Sequence, residues 1–285
     1  MGADSKIEWT HHTFNPWWGC ARVSPGCEHC YAEAFAKRTG KAKWGVGEER
    51  RFFGDKHWAE PIKWNRAAEK AGERHRVFCA SMADVFEGRR DLDEQRARLW
   101  DLIAGCADLD WLLLTKRPEN VVDMIPWGNG RTTGLDGSGG VVPTWSNVWL
   151  GTTVEDQKRA DERIPHLLKV PAVVRFLSCE PLLGPVDLKP YLVDDLYRMG
   201  RAPRMEIDWV IVGGESGPGA RPFDLGWARS IVAQCKTAGV PVHVKQLGAV
   251  PISNSDDDRR HCGDMMLPRP TFRLLLGKKG GDWSE

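Results

Sequence analysis

The sequence predicts an α/β fold, a partial or complete TIM-like (β/α) barrel of parallel strands, and three observations predict it. Short apolar runs recur along the chain with helical stretches between most of them. No Gly-x-Gly-x-x-Gly segment follows an early run, as it would in a doubly wound dinucleotide-binding sheet. The 285 residues, 41% of them apolar and 28% charged, suit one barrel with a sizeable core.

The first candidate strand lies around Thr13, Phe14 and Asn15. Six apolar runs follow, at Arg76–Ala80, Trp111–Thr115, Val148–Thr152, Val173–Ser178, Trp209–Gly213 and Val242–Lys245, each reading as a strand buried on both faces. Helix signals stand between them. Asp91 precedes Leu92, Asp93 and Glu94 as a capping box for a helix running towards Ala107. Pro118 marks a first helical turn, and Asp224 caps a helix that stops at Gly239. Alternation of this kind makes the strands parallel, with helical crossovers. The count of strands leaves closure of the barrel open.

Three regions are irregular. Residues 126–146 hold many glycines and read as an inserted loop, a candidate lid; Asp187–Ile207 is long for a simple crossover; Lys41–Asn65 mixes Trp, Gly and charge and is placed over the site. The barrel domain is assigned to residues 1–250 and a partly disordered tail to 251–285, where Asp256, Asp257 and Asp258 precede two arginines.

No apolar run approaches the ~20 residues of a membrane span. The amino terminus shows no apolar segment of the signal-peptide kind, so a cytoplasmic protein without a membrane partner is expected. Eight cysteines in that compartment point to metal or catalysis rather than disulfides wherever they cluster. The net charge of +1 neither announces nor excludes a nucleic-acid partner. Fourteen tryptophans favour packing over base-stacking surface.

Cysteines cluster once, at Cys20, Cys27 and Cys30, just after Trp17, Trp18 and Gly19. Three thiolates can hold an iron–sulfur cubane while leaving one iron open to an exchangeable ligand, and Pro25 and Gly26 supply a turn that lets the loop wrap it. The alternative is a zinc site completed by His29, His11, His12 or His57, as in an interaction module whose cysteines only fix a fold.

Several segments together resemble a known family. They are Phe14–Cys20, Ser24–Glu33 with its Cys27-Glu28-His29-Cys30, Leu114–Glu119, Glu180–Pro185, Gly213–Gly217, and Lys245 with Gln246. The chain is similar over Ile7–Gly248 to the phage-associated three-cysteine-motif proteins of unassigned function, related in motif to spore photoproduct lyase and other radical SAM proteins. Cysteine gaps of six and two residues replace that superfamily's usual three and two.

The resemblance implies a barrel of the radical SAM type and a [4Fe–4S] cluster on Cys20, Cys27 and Cys30. It implies S-adenosylmethionine on the open iron, cleaved to a 5′-deoxyadenosyl radical with an electron from a donor. It also implies modification or repair of a nucleic-acid base or nucleotide, with phage DNA hypermodification as one form, and leaves room for a separate partner protein.

His29, with Tyr31 beside it, occupies the place where the superfamily has a residue against adenine. Gly213-Gly214-Glu215 resembles the segment that binds the methionine amine, although it ends the sixth strand here rather than the second. Ser81, Met82 and Asp84 hold the position after the second. The remaining strand ends carry a polar ring that a barrel would gather on one face, from which Lys116, Glu180, Glu215 and Lys245 are the candidate catalytic groups. Thr115, Arg117, Thr152, Thr153, Glu155, Ser178, Cys179, Ser216, Arg221 and Gln246 complete the ring, with Arg117 read as a solvated helix start or a phosphate contact. Cys179 is a candidate hydrogen donor, although packing is the more ordinary role for a cysteine ending a buried strand.

Overall fold

The computed structural model describes residues 5, 7–40, 43–126, 132–135, 141–192 and 206–253. Seven strands form one sheet: β1 (His12–Thr13), β2 (His75–Cys79), β3 (Leu109–Thr115), β4 (Val148–Thr153), β5 (Val174–Cys179), β6 (Trp209–Gly213) and β7 (Val242–Gln246). All six pairings are parallel, and the strands lie side by side in chain order. That order separates a singly wound, barrel-like sheet from a doubly wound one, whose order reverses at a switch point. The partial TIM-like barrel predicted from the sequence is therefore the fold, and all seven predicted strands are present.

The sheet curls. Neighbouring strands are ~4.8 Å apart, so β2 and β6, four steps removed, would stand ~19 Å apart in a flat sheet. Yet the Trp9 indole lies 4.9 Å from the ring of Phe78 on β2 and 5.8 Å from that of Trp209 on β6. Phe176 and Leu112 join these residues in a buried apolar floor inside the curl. Among the described residues β1 and β7 are not paired with each other, and the barrel stays open there. The amino-terminal segment crosses the gap: Ser5 Oγ is 3.3 Å from Thr13 Oγ1 at the end of β1, and Glu8 approaches His243 on β7 to 3.6 Å.

Helices cover the convex face. In α3 (Asp93–Gly105) the buried residues are Arg96, Leu99, Trp100 and Ile103, and in α4 (Gln157–Leu168) they are Ala160, Arg163, Ile164 and Leu167. Both sets follow the i, i+3, i+4, i+7 spacing of one helical face. Together with α2 (Glu60–Ala71) and α5 (Leu225–Ala238) they bury the larger core against the sheet. Asp224 caps α5 by accepting from Gly226 N at 2.7 Å, and Gly239 ends it with φ +74°, as expected.

Several expectations are corrected. Asp91 does not cap α3, because its carboxylate takes a bidentate bond from Arg89 at 2.6 and 2.9 Å. Residues 126–146 are more than a loop: strands Thr132–Leu135 and Val141–Thr144 pair as a hairpin, and buried Trp145 packs against Trp100 at 5.4 Å. Lys41–Asn65 contains a strand, Arg51–Phe52, paired antiparallel with Trp17–Trp18, and the start of α2. The Asp187–Ile207 connection includes a helical turn, Lys189–Leu192, and residues 193–205 lie outside the described residues. Just past the assigned boundary at 250, Pro251–Ile252 pairs with Phe223–Asp224; the rest of the expected tail, from 254 on, is also outside the described residues. Of the twelve tryptophans in described positions nine are buried, which makes packing their main work. No described helix is long and apolar enough to cross a membrane.

Candidate active site

The carboxyl ends of the strands open on a single cleft of about 910 Å³, within the range of small-molecule sites. Twelve of the thirteen residues singled out as metal-binding, cofactor-binding or catalytic line it. The exception is Gly213, which stands behind the wall. A Cβ at Gly213 would collide with the carboxylate of Glu180, so the bare backbone is what leaves Glu180 its place. At Gly214 a Cβ would meet the backbone of Gly248 at 2.8 Å, which lets the ends of β6 and β7 approach closely.

The cysteine loop fills one side of the mouth and is clamped by charged side chains from three strand ends. After β3, the buried Arg117 donates from Nη2 to Ala21 O at 2.8 Å and brings Nη1 to 3.7 Å from Cys20 Sγ. Asp84, after β2, aims this guanidinium through a 2.8 Å ion pair and also accepts from Thr115 Oγ1 and Lys116 N. After β4, Glu155 accepts from Gly26 N at 3.3 Å while paired with Arg163 at 2.6 Å. Burial would raise the Glu155 pKa, but Arg163 and the nearby Lys116 hold it below the ordinary range. A Cβ at Gly26 would come to 3.0 Å from that carboxylate and press it back, so glycine permits the close approach.

After β6, Arg221 donates to Pro25 O at 3.0 Å and pairs with Glu28 at 3.1 Å and with Glu215 at 2.7 Å. The same Glu215 lies 2.9 Å from His29 Nδ1. An ionised carboxylate can only accept, so the His29 proton is on Nδ1. Burial raises the Glu215 pKa, but the Arg221 side-chain and backbone bonds and the His29 bond overcome it and hold the group at about 2.

A fourth brace acts on Cys20. Arg50 forms a buried bidentate pair with Glu87 at 2.6 and 3.0 Å and donates to the carbonyls of Lys43, Gly45 and Glu48. The segment shaped in this way bonds back to Cys20 O through Gly45 N at 3.0 Å. Gly19, with φ +116°, is required where the chain passes the Lys43 carbonyl.

Other walls carry the remaining candidates. Tyr31 donates to Ser81 O at 2.8 Å, and Asn15 fixes the same segment by donating to Ser81 Oγ at 3.1 Å and accepting from Met82 N at 2.7 Å. Lys245 Nζ is 3.2 Å from Glu180 Oε1. Lys116 lines the cleft as well.

The structure separates the candidates by what they touch. Asp84 and Glu215 have their carboxylates occupied by protein donors, which makes them anchors of the cysteine loop. Arg117, read from sequence as a solvated helix start or a phosphate contact, is 7% exposed and holds the loop instead. Sequence reasoning missed the clamps of Glu155 with Arg163 and of Arg50 with Glu87. Of the four histidines considered as a fourth zinc ligand only His29 lines the cleft. His12 stacks on Trp64 at 4.5 Å, His11 stacks on His75 at 4.9 Å, and His57 is wedged between Phe14 and Phe53. Cys179 is fully buried and burial pushes its thiol well up; with Cys79, Cys106 and Cys235 it belongs to the core.

Cys20, Cys27 and Cys30 are free thiols, partly exposed, on one loop facing one cleft. Burial and the Asp84 carboxylate push the Cys20 thiol up to about 12 against the pull of Arg117, a bias that direct coordination of a metal overturns. Three thiols with a guanidinium beside one sulfur fit the donor set of an anionic cubane with one open iron. No three His, Cys, Asp or Glu side chains among the described residues are gathered as a single-ion site.

Residues 4–268 match a family described as a protein of unknown function, DUF5131. Among solved structures the chain is similar to spore photoproduct lyase complexed with dinucleoside spore photoproduct, at 12% identity and TM-score 0.48, covering 85% of this chain and 78% of that one. It is also similar to a spore photoproduct lyase mutant with bound AdoMet and dinucleoside spore photoproduct, at 12% identity and TM-score 0.45, covering 75% of this chain and 58% of that one. The chain thus spans 58% of the length of some of the lyase structures it matches. No curated protein matches. The chain belongs to the DUF5131 family.

Proposed function

We propose that this DUF5131 member is a radical SAM enzyme acting on a nucleic-acid base or nucleotide. The observation that carries the reading is the cysteine loop itself: three free thiols, held at the mouth of a partial barrel by clamps from three strand ends, face the same cleft as the polar ring. The resemblance of the motif segments supports it.

Cys20, Cys27 and Cys30 would hold the [4Fe–4S] cluster, leaving one iron for S-adenosylmethionine. When bound and reduced, that cluster supplies the electron for reductive cleavage of S-adenosylmethionine, a hard one-electron chemistry that no side chain provides. The chain's own residues fix the geometry. Arg117, Glu155 and Arg221 set the loop, and Arg117 places positive charge beside Cys20. His29, Tyr31, Ser81 and Gly214 wall the space beside the loop, where the cofactor's nucleoside and amino-acid ends are to be bound. Within the cleft, Lys116, and Lys245 held by Glu180, offer ammonium donors to an anionic or carbonyl-bearing substrate.

Anaerobic reconstitution with iron and sulfide tests this. The expected product is a brown protein with about four iron atoms per chain, as the cubane requires. After reduction by dithionite, in place of the cellular electron donor, it releases 5′-deoxyadenosine from S-adenosylmethionine. Cys20→Ala should lose both iron and product. Stoichiometric zinc without iron, or an intact cluster that yields no 5′-deoxyadenosine, would overturn the enzyme reading and leave an interaction module.

A further inference from the structure

We infer that the outward face of α1 (Tyr31–Arg38) is a docking surface for single-stranded nucleic acid, over which the nucleotides flanking the one in the cleft are laid. The inference rests on the nucleic-acid reading of the site and gives that substrate its form. A surface helix ordinarily turns aromatic groups inward and charge outward. Here two aromatic groups are turned outward and one carboxylate inward. Glu33 faces inward and is paired with Lys37 at 2.7 Å and Arg22 at 2.8 Å. Tyr31, Phe35 and Arg38, at i, i+4 and i+7, form the exposed stripe, with Tyr31 57% and Phe35 36% exposed.

The rings are held in place. Tyr31 is tied at its hydroxyl to Ser81 O, and Phe35 meets Trp18 edge-on at 6.0 Å and 74°. Rings fixed before binding lose little freedom when a base stacks on them. Positive charge accompanies them: the Arg38 guanidinium lies 5.5 Å from the Phe35 ring centre, and that of Arg51 lies 4.8 Å from Trp18 and 4.9 Å from Phe53. Neither arginine forms an ion pair with a carboxylate among the described residues. The segment from Cys20 to Phe53 holds seven Lys or Arg against four Glu, in a chain whose net charge is only +1.

The surface is continuous with the cleft, since Tyr31 belongs to both. Exposed π-faces alternating with guanidiniums fit stacked bases and phosphates of a single strand, whereas a duplex keeps its base faces hidden. An apolar protein partner would instead have to bury both arginines without counter-charges.

Fluorescence anisotropy with a fluorescein-labelled oligothymidylate of about twelve nucleotides, a length that reaches past one binding groove, tests the proposal on the full chain. The ribo strand, a duplex of equal length and a labelled mononucleotide are run beside it. Phe35→Ala and the double variant Arg38→Gln, Arg51→Gln leave the cleft untouched, and circular dichroism checks their fold. The single strand is expected to bind best. Phe35→Ala should weaken it roughly fivefold or more, the loss of one stacking platform, and the arginine variant should reduce the salt dependence by about two phosphate contacts. Variants that bind like wild type would overturn the surface while the nucleic-acid reading stands. Binding of the mononucleotide but of no strand would overturn the surface and restrict the substrate to nucleotides, and binding of neither would remove both.

Discussion

At the floor of the barrel Phe78, Leu112, Phe176 and Trp209 close on Trp9; a few residues further along the same strands Asp84, Arg117, Glu180 and Glu215 line an open cleft. One end is apolar and filled, the other charged and hollow. The charged end is nonetheless almost fully paired, with ion pairs of 2.8 Å for Arg117 with Asp84, 2.6 Å for Arg163 with Glu155 and 2.7 Å for Arg221 with Glu215. Those pairs do not stabilise the sheet as the floor does, because buried charges return little beyond their desolvation cost. What they fix is a loop of low regularity that carries three cysteines. The floor should therefore govern whether the chain folds, and the mouth whether the folded chain holds the proposed cluster.

Trp9→Ala is the most severe test of the floor. It removes an indole that touches three other rings and leaves a cavity that a curled sheet cannot close, at a cost of about 3–5 kcal/mol. Urea denaturation should show that loss while the iron content of the reconstituted, folded fraction stays at the wild-type level. Iron lost in proportion to stability would mean that floor and mouth are not separable.

Arg117→Met probes the mouth with a side chain of similar length. It strands the buried Asp84 carboxylate without its counter-ion, at about 3 kcal/mol, the lower end for breaking a buried pair because the cleft lets water in. It also frees Ala21 O and removes the positive charge beside Cys20. Iron loading should fall here although it survives Trp9→Ala, and any cluster that does assemble should have a more negative reduction potential, since a hydrogen bond to the ligating sulfur favours the reduced state. Wild-type loading and potential would remove Arg117 from the site.

The same division explains what was legible in the sequence. The floor and the strands were readable because a buried strand writes its apolar run contiguously, as at Trp111–Thr115 and Trp209–Gly213. The cysteines were readable for the same reason, three donors within one short loop. The clamps were not. Glu155 finds Gly26, and Arg221 finds Pro25 and Glu28, across more than a hundred residues, and no periodicity relates them. Arg117 was misjudged because a Lys-Arg pair at a helix start looks solvated until Asp84, thirty-three positions earlier, folds against it. Asp91 looked like a cap because its spacing was right, yet Arg89 two residues away took the carboxylate.

The smallest predicted effect concerns the outer clamp and depends on pH. Glu215 is held at about 2, below the 4.5 of an ordinary glutamate, mainly by its bonds from Arg221 and His29 working against burial. A carboxylate with a lowered folded-state pKa contributes stability that is present in full above about pH 4.5 and is lost as pH falls towards about 2. Glu215→Gln has no such proton to take up. The variant should be less stable than wild type near neutrality by about 1 kcal/mol, a typical value for a partly accessible ion pair. Its denaturation midpoint should then fall less steeply with acid, so that the two proteins converge as wild-type Glu215 is protonated. Parallel curves across that window would show that Glu215 anchors Arg221 by shape rather than charge, and the mouth would then differ from the floor only in being hollow.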